Sequence, residues 1–319
     1  MAQYTMLSVG DIENIFLEYD IKNISSFEIL SGGSENTNFL VIASKKKYVL
    51  TICENKSEDD LRKLALLLDH LKINNFRTSR IVCTSRNNLT SNWKNKPVMV
   101  KEFIEGKIIE NMSAHQLKMT GKEMGLLHKI KPPHYMPEIM SFGKEQFSFL
   151  THHPDDMVFY TWLNEILRDA ETFISIELPK SIIHGDVFCD NVIVDSDDNA
   201  VVIMDFEEAA YYYRVFDLGM AITGLCAEGK TINLDKTKYL IEGYEQEIRL
   251  LPLEYKALQA FTVYATGAMA FWRYKNFRYL HPDPKKSDHY LGLKDLADYI
   301  RKIPASDFSQ CFNISSNLK

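Results

Sequence analysis

The hydrophobic pattern of this 319-residue chain changes its period near Gly106, and this change constrains the fold more than any other feature. Before it, apolar and β-branched runs bounded by turn residues predict five strands, at 27–30, 39–42, 47–53, 80–83 and 97–100. Helical spacing of apolar residues predicts helices over 11–19 and after Ser57. Beyond Gly106, helical periodicity dominates 114–130 and 216–303, with short apolar runs near 181, 191 and 200. We therefore expect an α+β chain with a strand-rich part and a helix-rich part.

Composition excludes several classes of protein. Apolar residues make up 45% of the chain, which is too many for a disordered segment. The formal net charge of −6 disfavours a nucleic-acid-binding protein, because such proteins concentrate positive charge. The five cysteines are widely spaced and form no Cys-x-x-Cys pair, which predicts reduced thiols and a cytoplasmic location. We expect no cleaved leader, because the first residues lack a basic stretch followed by an apolar core. We expect no membrane partner, since the apolar stretch 257–272 is shorter than a membrane span.

Four polar side chains stand at fixed offsets around short apolar runs. His184, Asp186 and Asn191 follow one run, and Asp205 follows another after a predicted hairpin. Phosphoryl transfer uses such a set, with one Asp to orient the attacking hydroxyl and an Asn and an Asp as oxygen ligands of Mg²⁺. The alternative is a group of ordinary turn residues, because Asp, Asn and Gly are common in turns. The coincidence of offsets, flanking strands and a later apolar–Asp–Phe element favours the kinase-like interpretation.

The segments His184-Gly-Asp186…Asn191 and Ile203-Met-Asp205-Phe resemble the catalytic and metal-binding motifs of the aminoglycoside phosphotransferase and choline kinase family. The resemblance implies a protein-kinase-like α+β fold of two lobes, with an antiparallel sheet lobe and a larger, mainly helical lobe. It implies ATP and Mg²⁺ as cofactors and a small-molecule hydroxyl as acceptor. It also implies that Asp186 is the catalytic base, that Asn191 and Asp205 bind Mg²⁺, and that His184 holds the catalytic loop. The lobes are expected at 1–102, for nucleotide binding, and at 103–319, for catalysis and substrate binding.

Within that family the chain is most similar to the type II homoserine kinases. The similarity includes the opening Tyr4-Thr…Asp11, the loop Gly33-Ser-Glu-Asn-Thr-Asn-Phe39, the strand Tyr48-Val-Leu-Thr-Ile and the segment Glu102-Phe-Ile-Glu-Gly106. It implies that L-homoserine is the acceptor and that O-phospho-L-homoserine and ADP are the products. The acceptor is then an amine-bearing molecule, and the protein is expected to be a monomer or a homodimer.

The resemblance also assigns residues to the nucleotide and the acceptor. The loop residues Gly32, Gly33, Ser34 and Asn36 are expected at the phosphates, since glycine-rich loops let backbone N–H groups approach them. The segment Glu102–Ile104 (Glu102, Phe103 and Ile104) is expected to bind adenine through its backbone. The expected acceptor residues are Glu35, Asp186, Glu207 and Arg273. The loops around Gly33 and Glu102 also fit a plain hairpin turn and an ordinary strand end.

The chain departs from the family pattern at three positions. Thr51 stands on the third strand where many relatives carry a phosphate-contacting Lys, and Lys46, Lys47 and Lys101 are candidates to replace that Lys. Asp205-Phe is followed by Glu207 instead of Gly. An Arg expected at Ala270 is missing, and Arg273 lies about one helical turn further on.

Other functions stay open from the sequence. Within the family the acceptor alternatives are choline or ethanolamine, hydroxylysine, methylthioribose and aminoglycosides. A function of another class is a catalytically weak, kinase-like binding protein, for which Thr51 is the only argument. A protein kinase is disfavoured because no activation segment with Ala-Pro-Glu is evident. The run His152-His153-Pro-Asp-Asp156 has metal-ligand residue types, but its spacing favours a solvated loop.

Overall fold

The computed structural model describes residues 5–30, 36–174, 178–197 and 200–310. The chain divides into two compact units, Met1–Glu105 and Gly106–Lys319, close to the lobe boundary predicted after residue 102. Strands dominate the first unit and helices the second, so the predicted α+β class is confirmed. No helix in the described ranges combines the length and the apolar character that a membrane crossing requires.

The first unit contains a five-stranded antiparallel sheet and two helices. Its strands are β1 (Ile24–Ile29), β2 (Asn36–Ala43), β3 (Lys46–Cys53), β4 (Ser91–Trp93) and β5 (Lys96–Glu102), in the spatial order β1-β2-β3-β5-β4. Helices α1 (Val9–Glu18) and α2 (Glu58–Ile73) each begin with a capping box, in which a Ser and an Asp three residues later satisfy each other's backbone N–H. These local signals explain why both helices begin close to the predicted positions.

Alternation along the strands gives the sheet two faces. Phe39, Val41, Leu50 and Val100 share one face and pack with Phe16 and its neighbours on α1 in a buried core. Thr51 belongs to the opposite face, opposite Asn38 on β2 and Met99 on β5. One face of the sheet therefore forms the apolar core with α1, and the other face carries the polar pair Thr51 and Asn38.

Two details of this sheet differ from the prediction. Residues 80–83 do not form a regular strand. They make an isolated bridge between Ile81 and Lys101 and two backbone hydrogen bonds to β5, from Val82 N to Val100 O and from Glu102 N to Arg80 O. Strand β4 was not expected, because Asn and Lys residues surround Trp93 and its pairing depends on β5. Both differences come from pairing partners that the local sequence does not reveal.

The second unit contains the helices α3 (Ala114–His128), α4 (Met157–Ile174), α5 (Arg214–Leu225), α6 (Leu234–Tyr244), α7 (Pro252–Lys275), α8 (Tyr290–Lys302) and α9 (Ala305–Gln310). Helix α7 is buried along most of its length, and most of its aromatic residues belong to the core. Helices α3 and α6 approach closely, because a Cβ on Gly121 would lie 1.9 Å from the carbonyl oxygen of Leu240.

Short strands complete the second unit. They are β6 (Lys107–Ile108), β7 (Lys180–Ile183), β8 (Val192–Val194), β9 (Val201–Ile203), β10 (Ala210–Tyr213), β11 (Ala227–Glu228) and β12 (Thr231–Ile232). Strand β7 pairs with β10, and β8 lies between β6 and β9. The predicted apolar runs near 181, 191 and 200 are therefore strands β7, β8 and β9, and the loops that follow β7 and β9 carry the polar residues of the motif.

Candidate active site

His184 follows directly on β7 and connects the two loops of the site. Its ring is fully buried, its Nε2 lies 2.8 Å from the carbonyl oxygen of Met204, and its Nδ1 lies 3.2 Å from the backbone N of Asp186. The carbonyl can only accept and the N–H can only donate, so this pairing assigns the neutral imidazole with its proton on Nε2. His184 thereby joins the residue before Asp205 to Asp186.

Asn191 lies at the end of a 3₁₀ turn, Cys189–Asn191, and connects the loops a second time. Its amide nitrogen donates to the carbonyl oxygen of Asp186 at 2.8 Å and to the Asp186 carboxylate at 3.0 Å. Its backbone carbonyl oxygen accepts from the backbone N of Met204 at 2.9 Å. Because the two side-chain bonds use the amide nitrogen, the amide oxygen remains available for a cation.

Asp205 follows β9 and has a positive φ of 68°, which is uncommon for a residue other than Gly. Its side chain is exposed, in contrast to the buried β9 that precedes it. Backbone conformations of this kind cost free energy and persist where the surrounding structure requires them. Here the contacts of Met204 with His184 and Asn191 hold the residue immediately before Asp205.

Several carboxylates lie around Asp186. Burial, which is the largest cause, and the negative charges of Asp205, Glu208 and Asp190 together raise the pKa of Asp186 to about 7. The hydrogen bond from Asn191 acts in the opposite direction. A carboxylate with a pKa near neutrality has the proton affinity that suits a general base for a hydroxyl.

Asp217, near the start of α5, holds the loop that carries Asp186. Its fully buried carboxylate accepts hydrogen bonds from the backbone N of His184 at 3.0 Å and of Gly185 at 2.7 Å. A third donor, Nε2 of His128 on α3, lies 3.0 Å away and was not predicted. Its Nδ1 lies 2.9 Å from the hydroxyl of Tyr244. The sequence carries no local signal for His128, because it precedes Asp217 by 89 positions.

Arg273 is a half-buried cation on α7. Burial lowers the pKa of its guanidinium, whereas the negative charges of Asp186 and Asp190 raise it, so all three residues lie in one electrostatic neighbourhood. Within the described residues between 106 and 310, the guanidinium of Arg273 makes no ion pair or hydrogen bond. The two glutamates after Asp205 are also half-buried, and Glu208 accepts a hydrogen bond from Ser141, which it contacts closely.

The first unit holds the residues predicted to contact nucleotide. The hydroxyl of Thr51 is buried and donates to Oδ1 of Asn38 at 2.7 Å, and Asn36 is buried at the start of β2. The loop residues Gly32, Gly33, Ser34 and Glu35 lie outside the described residues, so their predicted roles stay predictions.

The segment predicted to bind adenine follows β5. The backbone N–H of Glu102 donates to Arg80 and that of Phe103 donates to Lys47. Within the described part of residues 5–105, the backbone N–H of Ile104 has no such acceptor. Ile104 therefore offers the donor through which a backbone segment can pair with a base edge.

A candidate cation site contains Asn191 and Asp205. Their oxygens are hard donors, which suit Mg²⁺, and Mg²⁺ in kinases is held by few protein ligands together with substrate phosphates. No group of three or more His, Cys, Asp or Glu side chains in the described ranges is arranged to hold a metal ion. In the run 152–156, which has metal-ligand residue types, the ring of His153 packs at a tilt against Tyr279 with 4.3 Å between centroids.

The sequence is similar to a family of phosphotransferases and to proteins named homoserine kinase. A model of the phosphotransferase enzyme family matches residues 26–247. The homoserine kinase of Zymomonas mobilis is 26% identical over 321 residues, which cover 95% of this chain and 96% of that protein. The homoserine kinase of Agrobacterium fabrum is 25% identical over 316 residues, which cover 95% of each chain.

Solved structures resemble the whole chain. A microcompartment-associated aminopropanol kinase has a TM-score of 0.70 at 15% identity and covers 96% of this chain and 99% of its own. An amicoumacin kinase in complex with AMP-PNP, Ca²⁺ and Ami has a TM-score of 0.69 at 15% identity, with coverage of 92% and 96%. A spectinomycin phosphotransferase in complex with ADP and spectinomycin has a TM-score of 0.68 at 13% identity, with coverage of 94% and 100%. At these identities the likeness establishes the fold alone, and it confirms the predicted protein-kinase-like fold.

Proposed function

The chain belongs to the phosphotransferase enzyme family, and we propose that it transfers the γ-phosphoryl group of ATP to the hydroxyl of L-homoserine. The products would be O-phospho-L-homoserine and ADP. Curated relatives named homoserine kinase match along 95% of the chain, which supports this acceptor. Two structurally similar kinases were solved in complex with ADP and with AMP-PNP, which supports ATP as the phosphoryl donor.

The observation that carries the acceptor assignment is the half-buried guanidinium of Arg273. It interacts electrostatically with Asp186 and Asp190 and has no ion-pair partner among the described residues of the second unit. An Arg fork matches a carboxylate with two parallel hydrogen bonds. L-Homoserine has a carboxylate, whereas choline, ethanolamine and aminopropanol do not. Arg273 therefore distinguishes an amino-acid acceptor from an amino alcohol.

The acidic residues of the site complement the rest of the acceptor. Asp190 and Glu208 are close enough to raise the pKa of Asp186, so the site carries an excess of negative charge. An ammonium group of the acceptor neutralises part of that charge. Glu207, which follows Asp205 by two positions, remains a further candidate for this contact.

The reaction follows from the same geometry. Asp186 accepts the proton of the attacking hydroxyl, while Asn191 and His184 hold its loop. Asn191 and Asp205 would hold Mg²⁺, which when bound neutralises phosphate charge. The remaining task of the protein is to orient the hydroxyl in line with the phosphoryl group.

The test is a coupled assay of ADP release over a panel of hydroxyl compounds that contains homoserine, ethanolamine, choline and kanamycin. We expect stimulation by homoserine above the others. Arg273→Gln removes a charged hydrogen-bond donor worth about 1.5–3 kcal/mol, which corresponds to a rise in KM for homoserine of about 10- to 100-fold. Arg278→Gln is the matched control, because the guanidinium of Arg278 is already paired with Asp288 at 3.0 Å.

Three outcomes would contradict this proposal in different ways. Stimulation by ethanolamine without stimulation by homoserine would refute the acceptor and leave the family assignment intact. An unchanged KM in Arg273→Gln would remove the carboxylate contact. Nucleotide binding without stimulation by any acceptor would favour a catalytically weak binding protein.

A further inference from the structure

The third strand of the sheet lacks the cation that kinase-like sites place there. The kinase template has a Lys on this strand that reaches the nucleotide phosphates. Thr51 is neutral, only 1% exposed and engaged with Asn38. Mg²⁺ would neutralise part of the phosphate charge, and a cationic side chain elsewhere in the first unit would take the place of the missing lysine.

Sheet register identifies a lysine beside Thr51. On the antiparallel pair β3–β5, Val49 is opposite Lys101 and Thr51 is opposite Met99. Residues two apart on a strand point to the same face, so Lys101 and Thr51 share the face that is not buried against α1. Diagonal neighbours of this kind lie about 7–8 Å apart, which is within reach of a long side chain.

The ammonium group of Lys101 lacks a partner in its own unit. Its side chain is half-buried, and its neighbours across the sheet are the apolar Val49 and Ile81. Within residues 5–30 and 36–105, no carboxylate, hydrogen-bond acceptor or aromatic ring contacts it. Withdrawing a charge from water without a partner is unfavourable, so this arrangement indicates an anionic ligand.

The other two candidate lysines fit less well. Lys47 lies on the same face, but its Nζ is 2.9 Å from the Glu105 carboxylate and lies over the ring of Phe103. Lys47 is also four residues from Thr51, about 13 Å along an extended strand. Lys46 is exposed and points to the opposite face.

We propose that Lys101 binds the phosphate groups of the nucleotide in place of a third-strand lysine. The inference rests on the proposed function, because it assumes that ATP binds along this face of the sheet. Lys101 immediately precedes the segment 102–104, so one stretch of chain provides both the backbone donor for the base and the cation for the phosphates. The phosphate-binding lysine then lies on β5 instead of the neighbouring β3. The hydrogen-bonded pair Thr51–Asn38 occupies the position that a third-strand lysine would take.

The test measures nucleotide binding by calorimetry without acceptor, with adenosine, AMP, ADP and ATP in the presence of Mg²⁺. In Lys101→Met, we expect the affinity for ATP to fall about tenfold or more, since a hydrogen bond to a charged group is lost. Adenosine has no phosphate, so its affinity should stay unchanged and shows that the variant is folded. Lys101→Arg, which keeps the charge, should retain most of the ATP affinity, and Lys47→Met is the control on the same face.

A second variant tests the position of the cation. Thr51→Lys combined with Lys101→Met returns the amine to β3, and we expect it to recover most of the lost ATP affinity. Equal affinities of Lys101→Met and the unmodified protein for ATP would overturn the inference, as would an equal loss for adenosine and ATP. ATP binding that depends on Lys101, together with no homoserine phosphorylation, would refute the proposed acceptor and leave this inference standing.

Discussion

Asp217→Asn tests whether the loop that carries Asp186 depends on one buried carboxylate. Asp217 is fully buried and accepts from three donors: the backbone N of His184, the backbone N of Gly185 and Nε2 of His128. Asn has nearly the same volume but only one acceptor oxygen. If that oxygen keeps the bonds to His184 and His128, the amide nitrogen faces the N–H of Gly185, and two donors oppose each other.

The magnitude follows from this count. Losing one hydrogen bond to a charged acceptor costs about 1.5–3 kcal/mol, so we expect the free energy of unfolding to fall by about 2–3 kcal/mol. Gly185 directly precedes Asp186, and its left-handed φ of 84° leaves the loop little freedom to adjust. A shift of about 1 Å at a catalytic group costs about 100-fold in rate, so kcat should fall by about that factor.

Acid pH provides a second readout of the same residue. Burial alone would raise the pKa of Asp217, but its interaction with His128 and the hydrogen bond from the N–H of Gly185 lower it below 3.8 overall. A carboxylate whose pKa is lower in the folded state contributes stability above its unfolded pKa and loses it as pH falls through the folded pKa. The stability difference between the unmodified protein and Asp217→Asn should therefore shrink below about pH 4.

The assay combines chemical denaturation with steady-state kinetics, and it has a matched control. Glu254→Gln also changes a buried carboxylate to an amide, and Glu254 binds Arg214 at 2.6 Å without contacting the Asp186 loop. The control should lose stability and keep kcat. If Asp217→Asn lost as much stability as the control and still kept kcat within about twofold, the positioning role of Asp217 would be refuted.

Three further substitutions follow from single features of the structure. Asp186→Ala should abolish ADP release in the coupled assay while the melting temperature stays nearly unchanged, because Asn191 is the one hydrogen-bond partner of its carboxylate among the described residues; retained turnover would exclude it as the base. Asp205→Gly should raise the free energy of unfolding by about 1 kcal/mol in urea denaturation, by removing the cost of a positive φ of 68°, and should still abolish turnover. Gly121→Ala should lower the free energy of unfolding by about 3 kcal/mol, because its Cβ would collide with α6. Gly10→Ala, at an exposed position of α1, should leave the free energy of unfolding unchanged, and equal stabilities of the two variants would contradict the close approach of α3 and α6.

Much of the fold is readable from the sequence because the signals are local. The capping Ser57 and the apolar face beginning at Leu61 locate α2, and β-branched alternation locates β3. Residues 80–83 carry equally apolar side chains but form only one bridge, and β4 has weak strand character. Whether each segment becomes a strand depends on which segment pairs with β5, and that pairing is determined by the packing of the whole sheet.

The same distinction applies to the site. Asp186 and Asn191 lie five positions apart in one loop, so their contact follows from the local chain and is visible as a motif. His128 reaches Asp217 from another helix, and no local pattern announces it. Roles inferred from a motif are therefore more accessible than roles that arise from packing between distant elements.

The cation for the nucleotide shows why a residue list is not enough. The sequence offers Lys46, Lys47 and Lys101 as equivalent replacements for a third-strand lysine. They differ in what surrounds them: one is exposed, one is neutralised by Glu105, and one is half-buried between apolar neighbours. The lack of a partner is a property of register, because a shift by one residue would turn Lys101 to the face buried against α1. Whether a lysine is available for a ligand thus depends on which residues lie beside it in the folded sheet. For Lys101 those neighbours follow from the register of β3 with β5.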